Sequence, residues 1–229
     1  MENLLREYMD RAFSDRGIDN QPGPRPVITI SREFGCPSKL IAQQLTDVLN
    51  RRNGVDKPGK WRFISKEVVE ATARRLELNP TEVNYLLSSG EKGFVEDILA
   101  SFSTSYVSNH RIRKTVSLVV RSIAEQGHVV IVGRGGAAIL QDLPGAIHIR
   151  LHATPEWRIR EICKSQGIDK SQASKMVDEM DKKRVSFIEM MSGTKFHPNL
   201  FDVTFNCSKL PNEEVVGTII GLLETKKLI

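Results

Sequence analysis

The sequence predicts an α/β protein built on a mainly parallel sheet, and three observations carry that prediction. Short runs of β-branched and aliphatic residues, such as "VITI", "HVVIV" and "AIHIRLHA", alternate with longer segments. In those segments the apolar residues recur at helical spacing. Glycines, prolines and a helix-start signal fall at the joints between them.

Residues 1 to 16 place Leu4, Leu5, Tyr8, Met9, Ala12 and Phe13 on one helical stripe, which "QPGPRP" then breaks. This N-terminal helix and its linker, residues 1 to 24, are expected to cap the main domain, 25 to 229, or to pair with a second subunit as a homodimer. Val27 to Ile30 reads as a buried strand. Ile41, Leu45, Val48 and Leu49 mark the helix after it, "NGVDKPGK" is a loop, and "WRFIS" is the next strand. Residues 66 to 76, the start at "LNPTEV" and residues 91 to 126 are expected to be helical, the last helix ending near Gly127. His128 to Val132 is a strand, followed by a glycine turn and a short helix. "AIHIRLHA" is another strand. In "TPEWRIREICK", Thr154 is placed to cap a helix whose first position is Pro155. Residues 171 to 191 form a long charged helix or helix pair, "FDVTFNC" a late strand, and "NEEVVGTIIGLLETKK" the closing helix.

The composition bounds the function classes. With 229 residues, 40% hydrophobic and 27% charged, the chain can bury a full core without disulfides or metal. No apolar run reaches the roughly 18–20 residues of a membrane span, and the N-terminus shows no signal-peptide core. The three cysteines, Cys36, Cys163 and Cys207, are few and dispersed, so free thiols in a cytoplasmic setting are expected. No Cys/His spacing suggests zinc. A net charge of +5 suits anionic ligands such as nucleotides and equally suits an ordinary solvated surface. Without a dense Lys/Arg block, neither nucleic acid nor a membrane is an expected partner.

The chemistry concentrates in loops. "SREFGCPSKL" lies between the first strand and its helix, the position of a phosphate-binding loop, where successive backbone N–H groups point at phosphate oxygens. Against the pattern G-x-x-x-x-G-K-[ST], residues 32–39 read "REFGCPSK". Arg32 replaces the first glycine, Glu33 and Phe34 follow, and Gly35 alone looks like a nest residue. Cys36 precedes Pro37, which replaces the second glycine and removes a donor. Ser38 stands at the lysine position, Lys39 where Ser or Thr would meet magnesium, and Leu40 continues the helix. By the motif alone, a plain strand–helix turn competes with a phosphate cradle.

"VITISREFGCPSKLIAQQL", "VVIVGRG" and "PEWRIREI" together resemble the cytidylate kinase-like family, from about Val27 to the C-terminus. The resemblance implies a three-layer α/β/α P-loop NTPase-like fold, a helical acceptor-binding region over about 61–115 and a lid over about 177–198. It implies ATP with Mg2+ as donor, CMP or dCMP as acceptor, and small nucleotides as the partners. In that family the first loop often lacks the standard lysine and carries a basic residue one place later, where Lys39 stands. The loop from Arg32 to Leu40 would then cradle the ATP phosphates. Arg134 of "GRG" matches the arginine that contacts the acceptor phosphate, while Gly135 replaces an acid that helps hold the nucleotide. "VDEMDKKR" resembles the lid pattern R-D-x-x-D-x-x-R: Asp178, Asp181 and Arg184 are kept, and Val177 replaces the first arginine. Arg184, helped by Lys183 and aimed by Asp181, would neutralise charge on the transferring phosphoryl group, with Lys39 as the other catalytic cation. Arg111, Arg113 and Lys114 are candidate anion contacts on the acceptor side, where Ser65 replaces a usual aspartate. Magnesium would rest mostly on the nucleotide phosphates.

Two other readings compete. Pro37, Ser38, Gly135 and Val177 favour a catalytically degenerate nucleotide-binding sensor or scaffold. "GRGGAA" also fits G-x-G-x-x-A after a strand, with Glu156 about 20 residues on, as in dinucleotide-binding proteins.

Overall fold

The computed structural model describes residues 25–53, 60–65 and 109–229. The expected N-terminal helix over 1–16, the segment 66–76, the "LNPTEV" start and residues 91–108 lie outside them.

Strand β1 (Val27–Arg32) leads into helix α1 (Ser38–Asn53), and β2 (Arg62–Ile64) follows. Helix α2 (Asn109–Glu125) precedes β3 (Val129–Val132) and the four-residue α3 (Gly136–Ile139). Then come β4 (Ala146–His152), α4 (Pro155–Gln166), α5 (Lys170–Ser192), a 3-10 turn at Pro198–Leu200, β5 (Val203–Asn206) and α6 (Asn212–Thr225). The expected charged segment is one continuous helix, capped by Asp169 and closed by Gly193 in the left-handed region.

The five strands pair in parallel in the order β2-β3-β1-β4-β5. Alternation along each strand divides the core into two layers. Ile28, Ile30, Val130, Val132, Ile147, Ile149 and Leu151 pack under α1 and α6. Val27, Val129 and Ile131 face α2, α3 and the end of α5, where Phe187 and Met191 close the layer. The expected α/β/α sandwich is therefore what forms. Asn50 pins β2 to α1: its side chain accepts from Trp61 N–H at 2.6 Å and donates to Trp61 C=O at 2.8 Å.

The strand order places a topological switch at β1 and β3. The connection from β1 crosses β3 towards β2, whereas that from β3 crosses β1 towards β4. The loops leaving these neighbouring strands diverge, opening the crevice at the carboxyl edge where parallel α/β sheets bind ligands.

Candidate functional site

Two loops flank this crevice: residues 33–37 after β1 and residues 133–135 after β3. Gly35 has φ +94°, and a Cβ there would stand 3.0 Å from that of Arg158, so the bend requires glycine. Beside it, Phe34 is fully buried with Ile162 of α4 and with Ala173, Val177 and Met180 of α5. The position where the lid pattern would carry its first arginine is thus part of an apolar contact between loop and helix.

A charge network fixes the same bend. Arg158, 6% exposed, donates from Nη1 to Phe34 C=O at 3.2 Å and to Asp181 Oδ2 at 2.5 Å, and from Nε to Ala153 C=O at 3.1 Å. Asp181 Oδ1 accepts the Phe34 N–H at 2.7 Å. Glu33 pairs with Arg150 at 3.1 Å and with Arg158 at 3.4 Å, and it accepts the Ala153 N–H at 3.2 Å. A buried guanidinium needs such compensation, and two carboxylates supply it.

This corrects one expectation. Asp181 does not aim Arg184; it is committed to Arg158 and the loop backbone. Arg184 instead lies over the Phe34 ring, 5.2 Å from its centroid, and donates to Arg32 C=O at 3.3 Å. Asp178 is exposed, so support at the loop comes from Asp181, while Lys183 is half-buried on the same helix.

The free-donor inventory of the loop after β1 is smaller than in a full phosphate nest. Phe34 N–H is taken by Asp181, Cys36 N–H donates to Glu33 C=O at 3.3 Å, and Ser38 N–H to Cys36 C=O at 2.9 Å. Pro37 has no N–H, and Ile41 N–H returns to Pro37 C=O. At the N-terminus of α1 the Lys39 and Leu40 N–H groups remain without a backbone partner among the described residues, and both side chains are exposed. Ser38 is buried.

After β3, Gly133, Arg134 and Gly135 all take left-handed conformations, with φ of 71°, 57° and 68°. For Arg134 this is strained backbone. Its Nε donates to Ser65 C=O at 2.7 Å, tying the turn to the end of β2. A Cβ on Gly135 would lie 2.8 Å from Met191 Cγ and 3.4 Å from Phe187, so packing against α5 explains the missing acid. Arg32 extends across to Gly133, joining the ends of β1 and β3.

Arg32, Arg150 and Arg184 converge with Glu33 and Asp181 on a cleft of about 70 Å³ floored by Phe196 and Phe201. The guanidinium of Arg150 sits 4.6 Å from the Phe196 ring centroid. Arg113 is exposed, with its guanidinium against Gly193 at the end of α5, where a cation suits the helix dipole. Lys114 is also exposed, and the side chain of Arg111 lies outside the described residues. Among the described residues no cluster of three or more His, Cys, Asp or Glu side chains could hold a metal ion, and no helix is long and apolar enough to cross a membrane.

The dinucleotide reading does not fit this geometry. The "GRGGAA" turn opens a helix of only four residues. Glu156 lies in the first turn of α4, not at a strand end.

Sequence reasoning passed over Arg158, Arg150 and the charge of Glu33. A signal was present: Arg158 and Ile162, four apart, form the buried stripe of α4, and a cation on an apolar stripe implies a buried counter-ion.

The architecture is that of P-loop kinase folds. The structure of an uncharacterized protein from Eubacterium ventriosum is similar with a TM-score of 0.62 at 20% identity, covering 88% of this chain and 99% of that one. Shikimate kinase from Bacteroides thetaiotaomicron gives a TM-score of 0.50 at 15% identity, covering 87% and 98%. At these identities the likeness concerns the fold. The model of the cytidylate kinase-like family matches residues 27–209, and the chain belongs to that family. Comparison with curated proteins returns no match.

Proposed function

We propose that the protein is an ATP-dependent nucleoside monophosphate kinase, with CMP or dCMP as the first acceptors to test. The observation that carries this reading is the placement of two left-handed, glycine-containing turns at the ends of neighbouring strands. The β1 loop and the Arg134 turn lie side by side at the switch point, and Arg32 spans them. Phosphoryl transfer requires two phosphates held in line and their charge neutralised, with no covalent intermediate on the protein.

In this reading the N–H groups of Lys39 and Leu40 and the Lys39 ammonium hold the donor phosphates. Arg134 takes the acceptor phosphate, and Arg184 and Lys183 bring positive charge from α5. Magnesium would arrive with ATP, held mostly by its phosphate oxygens, and would neutralise charge on the transferring group. The segment 61–115 is assigned to the acceptor and 177–198 to the lid.

The test is ADP release with a panel of monophosphates, together with ATP binding by thermal shift. Lys39→Ala is expected to lower turnover by roughly 10²- to 10³-fold, the usual cost of removing a charge-assisted contact that strengthens in the transition state. Stability should change little, because Lys39 is exposed. Turnover unchanged in this variant would remove Lys39 from the mechanism.

A second reading, nucleotide binding without turnover, is favoured by the occupied donors of the loop. Phe34 N–H already faces the Asp181 carboxylate, and Pro37 contributes none. ATP binding with no ADP release across the whole panel would establish it in place of the kinase.

A further inference from the structure

The chain's three cysteines are unequally placed. Cys163 lies on α4 against the Phe34 cluster. Cys36 and Cys207 belong to a different apolar cluster, the one beneath α1 and α6. Their backbones are stitched to consecutive residues at the end of β4. On one side Glu33 N–H donates to Leu151 C=O at 3.0 Å, fixing the start of the loop that carries Cys36. On the other, Cys207 N–H donates to His152 C=O at 2.8 Å. The two chains thus converge over the end of one strand, where both cysteines pack in the same apolar cluster and each thiol feels the other electrostatically. Cys36 is partly exposed, whereas Cys207 is buried.

We propose that Cys36 and Cys207 are a reversible redox pair whose oxidation to a disulfide ties the phosphate loop to the end of β5. The oxidant is a hydroperoxide, hydrogen peroxide being the simplest. One sulfur, as thiolate, attacks the O–O bond; hydroxide leaves, takes up a proton as water, and a sulfenic acid remains. The second sulfur then displaces hydroxide from the sulfenic sulfur, the S–S bond forms, and a second water departs with the remaining thiol proton. Two thiols lose two electrons and two protons in all, and the peroxide is reduced to two waters.

The electrostatics of the pair agree with this chemistry. The contact with Cys207, and burial, hold the Cys36 thiol protonated far above the ordinary range. The same contact lowers the pKa of Cys207. The two thiols titrate as a pair, and loss of the first proton leaves a thiolate beside its neighbour's S–H. A bond at Cys36 acts on the loop because this residue sits between the left-handed Gly35 and Pro37, one turn before the exposed donors of α1. The inference concerns thiol chemistry and holds whether or not the protein is a kinase.

The experiment oxidises the full chain with hydrogen peroxide and counts free thiols, with intact mass and peptide mapping. The expected result is one remaining thiol, a mass lower by two hydrogens, and a Cys36–Cys207 crosslinked peptide that dithiothreitol removes. Cys163→Ser should form the same crosslink and leave no free thiol. Cys36→Ala, at the partly exposed position, and Cys207→Ser should each abolish the intramolecular bond. The proposal is overturned by three intact thiols, by a linkage through Cys163, by dimers linked between chains, or by irreversible oxidation of Cys36 without a crosslink. Turnover and ATP binding, measured separately, leave this outcome untouched.

Discussion

At Arg134 backbone strain is set against a hydrogen bond. Its left-handed backbone costs about 1–2 kcal/mol in a non-glycine residue, while its hydrogen bond to Ser65 returns about 1 kcal/mol. Arg134→Gly removes both, and these two effects should offset each other to within about 1 kcal/mol. In the proposed kinase the same variant should raise the acceptor KM and leave ATP binding intact; loss of ATP binding instead would mean that the two phosphate sites are reversed. His148 supplies a second residue-level prediction. Its Nδ1 lies 2.8 Å from Thr29 Oγ1, and its backbone N–H donates to Asp202. Burial pushes its pKa below the ordinary 6.5, outweighing the pull of the Asp202 carboxylate in the other direction. The unfolded chain therefore binds a proton in a window beginning near that ordinary value and extending below it, where the folded chain does not. This contribution to stability is intact above the window and is lost as pH falls through it. The melting temperature should drop between about pH 7 and about pH 5, and His148→Gln should flatten that drop. An unchanged slope in the variant would dismiss His148 as the source.

At the scale of elements, α5 and the first loop behave as one unit. Apolar packing of Phe34 against Ile162, Val177 and Met180 joins them, and Arg158 with Asp181 adds a charged tie. Phe34→Ala empties the centre of that contact and should cost about 3–5 kcal/mol. Chemical denaturation measures the cost directly. A loss below about 1 kcal/mol would show that loop and helix are held by the charges alone. The same coupling explains why "VDEMDKKR" departs from the lid pattern at Val177: a guanidinium there would be driven into the apolar cluster. Restoring arginine at that position is therefore no repair of the lid.

For the whole molecule, the family match ends at Lys209, yet the fold does not. Helix α6 buries Val215, Val216, Ile219, Ile220 and Leu223 against the sheet and α1, and Glu224 pairs with Arg52. Each such side chain contributes about 1.5–3 kcal/mol on burial, and five of them rival the entire 5–15 kcal/mol stability of a typical domain. A chain ending at Lys209 should show no cooperative thermal transition. A sharp melt in that truncated protein would place the core elsewhere.

The sequence by itself determined the alternation of strands and helices, because burial on both faces of a parallel sheet demands continuous apolar runs such as "VVIV". It also determined the helix start at Thr154 and Pro155, since these act through their own backbone and nearest neighbours. The positions of the loop after β1 and of the Arg134 turn were legible for the same reason: both follow directly from a strand. Only the tertiary structure decided the partners. Asp181 and Arg184 share a helix and looked like a pair, but Arg158 arrives from α4 as a buried cation whose desolvation makes Asp181 its counter-ion. Gly135 reads in sequence as a lost ligand, whereas in the fold Met191 and Phe187 stand against it from more than fifty residues away in the chain. Cys36 and Cys207 stand apart in sequence and meet over β4 because strand order, which no local pattern encodes, sets β1 and β5 on either side of it.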